Sequence, residues 1–226
     1  MLSRTIAIGD IHWCSLALKA LVDAIDPSPD DLLVPLGDYI DRGPDSRGVL
    51  EQMLALSERC VLVPLLGNHE EMLLAALEGK SDLNFWLKFG GMEFLTSYGY
   101  KGRPELLPAD LRTLIPCEHL QFIKGCRDYY ETVRHIFVHA YYEPDRPLHE
   151  QSWSGLRWAS LPAIPARHCS SKVAIVGHTP QKSGEILDLG YLKCIDTFCH
   201  GGGWLTALEV RTGRVWQTND KGELRW

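Results

Sequence analysis

Apolar residues in this chain follow two alternating rhythms. Short, nearly continuous apolar runs at Thr5–Ile8, 32–36 and 61–66 read as buried strands, and each leads through a polar loop into apolar residues at helical spacing, over 16–25, 49–56 and 72–77. Three successive strand, loop and helix units predict a parallel sheet, because parallel neighbours need a crossover and a helix is the usual one. From about 80 to 125 the apolar positions, among them Trp86, Phe89, Phe94 and Tyr98, keep a mixed helical spacing without alternation, which predicts a helical insertion. Runs at 136–138, 173–176, 191–195 and 205–210 predict a strand-rich second half. A hairpin closes it, with Thr212-Gly213 turning the chain into 215–218. The fold class is therefore α/β.

A length of 226 residues fits one domain or two small ones, and 45% hydrophobic residues suffice for a sizeable core; we read a single domain over 1–226. With 23 basic and 29 acidic residues, a formal charge of −6 and no Lys/Arg block, the chain is not expected to grip nucleic acid, so any anion site must be local. Residues 1–10 lack the apolar length and cleavage site of a secretory signal, and no run reaches membrane-spanning length. A cytoplasmic protein with no membrane partner is the expectation. Cys14, Cys60, Cys117, Cys126, Cys169, Cys194 and Cys199 are odd in number, scattered and free of any C-x-x-C pair. That spacing argues against a disulfide framework or thiolate zinc site and for small buried hydrophobes.

Chemistry enters at the strand ends. Ligands of open α/β sheets collect outside the carboxyl ends of the strands, and polar clusters follow the last apolar residue of each of the first three runs. They are Asp10 and His12, then Asp38, Asp41 and Arg42, then Asn68, His69 and Glu70. His139 and His178 stand in the same relation to the runs at 136–138 and 173–177. Alone, each is most simply a turn former or a satisfied polar side chain. Together, the motifs G-D-x-H, G-D-x-x-D-R-G, G-N-H-E and G-H-T, in this order, specify too many residues for that.

The stretches Gly9-Asp10-Ile11-His12, Gly37-Asp38-Tyr39-Ile40-Asp41-Arg42-Gly43, Gly67-Asn68-His69-Glu70, His139-Ala140 and Gly177-His178-Thr179 resemble the phosphoprotein phosphatases within the calcineurin-like metallophosphoesterases, and particularly their compact bacterial and bacteriophage serine/threonine branch. The likeness spans nearly the whole chain. It implies a central β-sandwich flanked by helices, with the helical insertion at about 80–125, and two divalent cations between the loop ends. Manganese is the expected cation, with iron or zinc compatible with oxygen and imidazole donors. By motif matching, one cation is held by Asp10, His12 and Asp38, and the other by Asp38, Asn68, His139 and His178. Asp38 then bridges a pair about 3.5–4 Å apart.

The same resemblance implies a phosphomonoesterase that hydrolyses its ester by in-line attack of metal-activated hydroxide. His69, paired with Asp41, would protonate the leaving oxygen. Arg42 would take two phosphate oxygens with its planar fork, and Arg157 is the candidate for the family's second phosphate-binding arginine, with Arg146 behind it. Glu70 is read as structural, a carboxylate at a helix start. The expected substrates are phosphorylated proteins, peptides or small phosphomonoesters. Trp13 departs from the family's usual glycine, where it either narrows the cleft and stacks on substrate or packs under the insertion. The glycine-rich stretch after Cys199-His200 reads as a flexible loop, with His200 not counted as a ligand. Two other functions share the residues: a dinucleoside polyphosphate hydrolase, against which Asp41 argues, and an inactive metal-binding interaction module, against which the full set of ligands argues.

Overall fold

The three strand and helix units form as their patterns require. In the computed structural model, which describes residues 3–80, 83–102 and 108–225, they are β1 (Thr5–Ile8), α1 (Ser15–Ile25), β2 (Leu32–Pro35), α2 (Ser46–Ser57), β3 (Val61–Leu62) and α3 (Asn68–Leu77). The third strand is shorter than the 61–66 run predicts. Beyond Leu62 the chain still leans on β2, with Val63 N donating to Leu33 O and Leu65 N to Pro35 O, both at 2.9 Å, while Leu66 N donates to Arg127 O at 2.8 Å on the other side. The insertion is helical: α4 (Leu83–Trp86), a π turn over Leu87–Gly91 kinked at Gly90, α5 (Met92–Ser97), α6 (Pro108–Leu114) and α7 (Cys117–Lys124). Residues 81–82 and 103–107 of the predicted insertion lie outside the described residues.

The second half runs β4 (Tyr129–Glu131), β5 (His135–Val138), a 3-10 turn at Leu148–Glu150, α8 (Trp153–Trp158), β6 (Val173–Val176), β7 (Leu187–Asp188), β8 (Leu192–Cys194), β9 (Asp196–Thr197), a 3-10 turn at Cys199–Gly201, β10 (Trp204–Glu209) and β11 (Val215–Thr218). One sheet has the order β11-β10-β1-β2-β3, with β9 on β10, and the other β4-β5-β6-β8-β7. The predicted parallel sheet is real for β1, β2 and β3, but β10 joins it antiparallel, so both sheets are mixed. The period-2 patterns of β4, β7 and β9 are too short to be seen in the sequence.

Alternation along the strands sorts the core into layers. Ile6 and Ile8 face α1 and α2, while Ala7 between them faces the opposite sheet. Leu32, Val34, Phe137, Ile175 and Ile195 fill the space between the sheets, and Ile136, Val138, Ala174 and Val176 pack outward under Leu148 and Leu156. Each fully buried Leu, Ile or Phe contributes about 1.5–3 kcal/mol. Strands buried on both faces explain the near-continuous apolar runs. All seven cysteines are free thiols; Cys14, Cys60, Cys194 and Cys199 are buried, while Cys117 and Cys169 are exposed. Among the described residues no helix is long and apolar enough to cross a membrane.

Candidate metal centre

With β1, β2, β5 and β6 side by side in two packed sheets, the loops after them meet at one edge. The backbone there is unusual. His12, Asp38, Asp41, Arg42 and His178 all have left-handed φ, between 50° and 71°, although none is glycine. Such conformations cost roughly 1–2 kcal/mol apiece and persist where the surroundings over-determine them. Glycines let the loops close up. A Cβ on Gly67 would strike Asp38 Oδ1, and one on Gly177 would strike Asp10 Oδ1. Glu70 ties the loops together: its Oε2 accepts from the amides of Asp38 at 2.9 Å and Gly67 at 3.1 Å, and its Oε1 accepts from Tyr39 N at 2.7 Å. That is the structural role its position suggested.

Hydrogen bonds at the far side of each imidazole settle which nitrogen faces inward. Nδ1 of His139 donates to Leu36 O at 2.9 Å, and Nδ1 of His12 donates to Ile40 O at 2.8 Å, leaving Nε2 of each as the inward lone pair. His178 is reversed. Its Nε2 donates to Trp158 O at 3.2 Å and its Nδ1 points inward. His139 Nε2 and His178 Nδ1 then lie 3.1 and 3.0 Å from Asn68 Oδ1, and His139 Nε2 lies 3.5 Å from Asp38 Oδ1. Four acceptor atoms then converge, an arrangement that a cation satisfies. Asp38 Oδ2 faces the other way, 3.7 Å from His12 Nε2 and 4.0 Å from His69 Nε2. The carboxylate thus has one oxygen on each side, as a bridging ligand needs.

Electrostatics agree with a cation site. Burial lowers the pKa of His12, His139 and His178, His139 to about 4, so the imidazoles are neutral at pH 7 as ligands must be. Asp10 is pushed well up by burial, then by Asp196 and Asp38, and Asp196 is pushed up to about 7 by burial, with Asp38 adding to it. Crowded, buried carboxylates resist ionising together unless positive charge lies between them. Asp10 accepts from His178 N at 3.1 Å with both oxygens, and it lines the same cavity.

Beside the cage, His69 Nδ1 donates to Asp41 Oδ2 at 2.7 Å. Trp86 Nε1, from the insertion, donates to the same oxygen at 2.9 Å, while Asp41 Oδ1 is buried without a partner. Burial works against a charged His69, but Asp38 and then Asp41 outweigh it and raise its pKa. Arg42 is exposed at the mouth, its Nη2 3.2 Å from His69 Nε2 and its Nη1 3.4 Å from His200 Nε2. The cavity between them holds about 240 Å³ and is also lined by Lys182, Asp196 and Phe198.

Ten sequence-derived site residues therefore fall into two groups. Asp10, His12, Asp38, Asp41, Arg42, Asn68, His69, His139 and His178 meet at this edge. Arg157 does not join them. Its Nη1 and Nη2 are taken by Glu71, at 3.0 Å, and by Asp128, so its fork is spent on carboxylates rather than turned to the cavity. Arg146 pairs with Glu143 at 2.9 Å. His200, not counted as a ligand from the sequence, lines the cavity. Left-handed Phe198 and Gly202 fold its stretch into a 3-10 turn, which sets the imidazole edge-on to His12 with centroids 4.4 Å apart. Trp13 is half-buried under the insertion side, and a Cβ on Gly43 would strike its ring.

Known proteins bear on this geometry in three ways. The family model described as calcineurin-like phosphoesterase matches residues 3–206. A serine/threonine-protein phosphatase 1 of Salmonella typhimurium is 33% identical over 216 residues, 90% of each chain. A symmetrical bis(5'-nucleosyl)-tetraphosphatase of Burkholderia pseudomallei is 42% identical over 77 residues, 34% of this chain and 27% of the relative. Among solved structures, a putative diadenosine tetraphosphatase superposes with a TM-score of 0.70 at 21% identity, covering 100% of this chain and 95% of that one.

Proposed function

This chain belongs to the calcineurin-like phosphoesterases, and on that premise we propose that it is a phosphomonoesterase acting on phosphoserine and phosphothreonine in proteins or peptides. The observation that carries the reading is the convergence of Asp38, Asn68, His139 and His178 beside the His69–Asp41 pair. Asp10, His12 and Asp38 would hold one divalent cation, and Asp38, Asn68, His139 and His178 the other. Manganese fits the oxygen and imidazole donors. Bound there, the two cations supply positive charge for phosphoryl oxygens and lower the pKa of a water.

The protein's own groups do the rest. Arg42 stands exposed at the mouth, where its guanidinium can take two phosphate oxygens side by side. That contact orients the ester with its leaving oxygen toward His69. Since His69 Nδ1 is committed to Asp41, the proton for the leaving oxygen comes from Nε2. Asp41 holds the ring in place and favours its protonated form. A serine or threonine alkoxide is a poor leaving group, so this proton is where the pair matters most.

A second reading, hydrolysis of dinucleoside polyphosphates, draws on the 42% identity over 77 residues to the tetraphosphatase. The phosphatase likeness extends over 90% of the chain and supports the first reading better. Turnover of a phosphoserine peptide and of diadenosine tetraphosphate, measured side by side with manganese supplied, tests the choice. The peptide is expected to have the higher kcat/KM; preference for the nucleotide would reverse the assignment, and no turnover of either would leave a binding module.

A further inference from the structure

Arg157 is bound too firmly, and too close to the ligand loops, to be an idle surface pair. Its side chain is 12% exposed, with Glu71 and Asp128 on its two terminal nitrogens and the Trp153 ring 5.1 Å from its guanidinium carbon. The neighbouring Trp158 sends its indole N–H to the other oxygen of Glu71, at 2.7 Å. Glu71 sits in the first turn of α3, next after His69 and Glu70. The end of α8 is thus fastened by two side chains to the helix that starts with Asn68.

What α8 then presents is its last carbonyls, which have no partner within the helix. Leu156 O accepts from Ala140 N at 2.8 Å and Gly155 O from Tyr141 N at 3.2 Å, which pins the loop leaving His139. Trp158 O accepts from His178 Nε2 at 3.2 Å. His178 is the one imidazole of the cage that faces inward through Nδ1, and Trp158 O is what holds it that way. A ligand's second nitrogen fixes both ring orientation and tautomer, and removing such a partner typically weakens metal binding about 10- to 100-fold.

We propose that Arg157 is a positioning residue, which with Glu71 clamps the Trp158 carbonyl against His178 and so sets the affinity of the Asn68–His139–His178 half of the cage for its divalent cation. The inference rests on the metal-cage reading above. It gives the arginine a role toward the cation, where the sequence pattern suggested one toward phosphate. The clamp acts on one half of the cage because Trp158 O holds the His178 ring, whereas Asp10 meets His178 only at its main-chain amide and His12 is fixed by Ile40 O.

The test is manganese titration of the whole chain by calorimetry, with low-temperature electron paramagnetic resonance to report the exchange-coupled pair of ions. Arg157→Met is expected to lose about 10- to 100-fold in affinity for one of two manganese ions and to lose the coupled signal at concentrations that saturate the parent protein. Arg157→Lys, which can keep one carboxylate, should recover part of the loss. Glu71→Gln, which keeps an acceptor for the Trp158 indole, should shift affinity in the same direction by less, and it carries the test if Arg157→Met does not fold. Parent-like manganese affinity in both variants, with weakened inhibition by inorganic phosphate, would make Arg157 a phosphate ligand and overturn the clamp. Equal weakening at both ions would overturn it as well, since the clamp touches one half. If the parent protein itself bound no coupled pair, the cage reading would fail and the clamp with it, whereas a coupled pair in the parent that both variants keep at unchanged affinity refutes the clamp alone.

Discussion

The cage has a closed half and an open half, and they are built from different chemistry. In the closed half, His139 Nε2 and His178 Nδ1 lie 3.1 and 3.0 Å from Asn68 Oδ1, and main-chain carbonyls hold the far side of each imidazole. In the open half, Asp38 Oδ2 stands 3.7 Å from His12 and 4.0 Å from His69, and the space beyond is the cavity shared with Arg42, Lys182 and His200. Neutral donors make the first half a ready site. Carboxylates make the second, where Asp10 is crowded by Asp196 and Asp38. Burial keeps the imidazoles of the closed half neutral, whereas burial and neighbouring carboxylates raise the pKa of Asp10 in the open half.

Asp38 is common to both halves, so changing it should have the largest effect. Asp38→Asn removes the charge shared by two cations, and turnover is expected to fall about 10⁴-fold or more, the scale on which members of a cooperating unit fall. Metal analysis alongside kcat/KM checks this. Retention of two ions, with turnover within tenfold of the parent, would mean that the halves do not share the carboxylate. Next comes His69→Asn, which leaves both cages but removes the acid. It should cost about 10²- to 10⁴-fold in kcat on a phosphoserine peptide and far less on p-nitrophenyl phosphate, whose leaving group needs no proton. Equal losses on the two substrates would remove His69 from that role.

Proton release separates the halves directly. A carboxyl group whose pKa is raised binds a cation only after ionising, so affinity of the open half should rise with pH, by roughly tenfold per unit where one proton is displaced per ion. The sign follows from Asp10, which lies well above the usual carboxylate range because of burial, Asp196 and Asp38. The closed half should be nearly insensitive around neutrality, because burial holds His139 down to about 4 and protons compete there only in acid. Calorimetry of manganese binding in buffers of different ionisation enthalpy counts the protons. Release from the site that Arg157→Met weakens and none from the other would invert the comparison.

Much of this was legible before any coordinates. Strands buried on both faces write themselves as apolar runs, and Asp10, Asp38, Asn68, His139 and His178 each follow such a run, so their meeting at one edge could be read from local order. What escaped depends on distant partners or on backbone shape. Arg157 between two tryptophans gives no hint that Glu71 and Asp128, 86 and 29 positions away, hold it. His200 sits in a run of glycines that reads as slack, yet left-handed Phe198 folds it back over the cavity. Nor does sequence announce that His12, Asp38, Asp41, Arg42 and His178 are all left-handed, since residue type only weakly encodes that conformation.

The smallest expected effect concerns how the insertion tunes the acid in the open half. Trp86 is fully buried, and its indole donates to the oxygen of Asp41 that also receives His69. Burial pushes Asp41 up to about 6, opposed by His69 and then by the Trp86 hydrogen bond. Trp86→Phe keeps an aromatic ring in the core but removes the donor, so the Asp41 pKa should climb further, by about one unit for a hydrogen bond to a charged group. The carboxylate that orients His69 would then be neutralised at a higher pH. Turnover of a phosphoserine peptide should change little near pH 8 and drop about fivefold near pH 6. The cages would keep their manganese, because Trp86 contacts neither. A uniform loss at both pH values, matched by a lower melting temperature, would assign Trp86 to packing alone and leave the His69–Asp41 pair independent of the insertion.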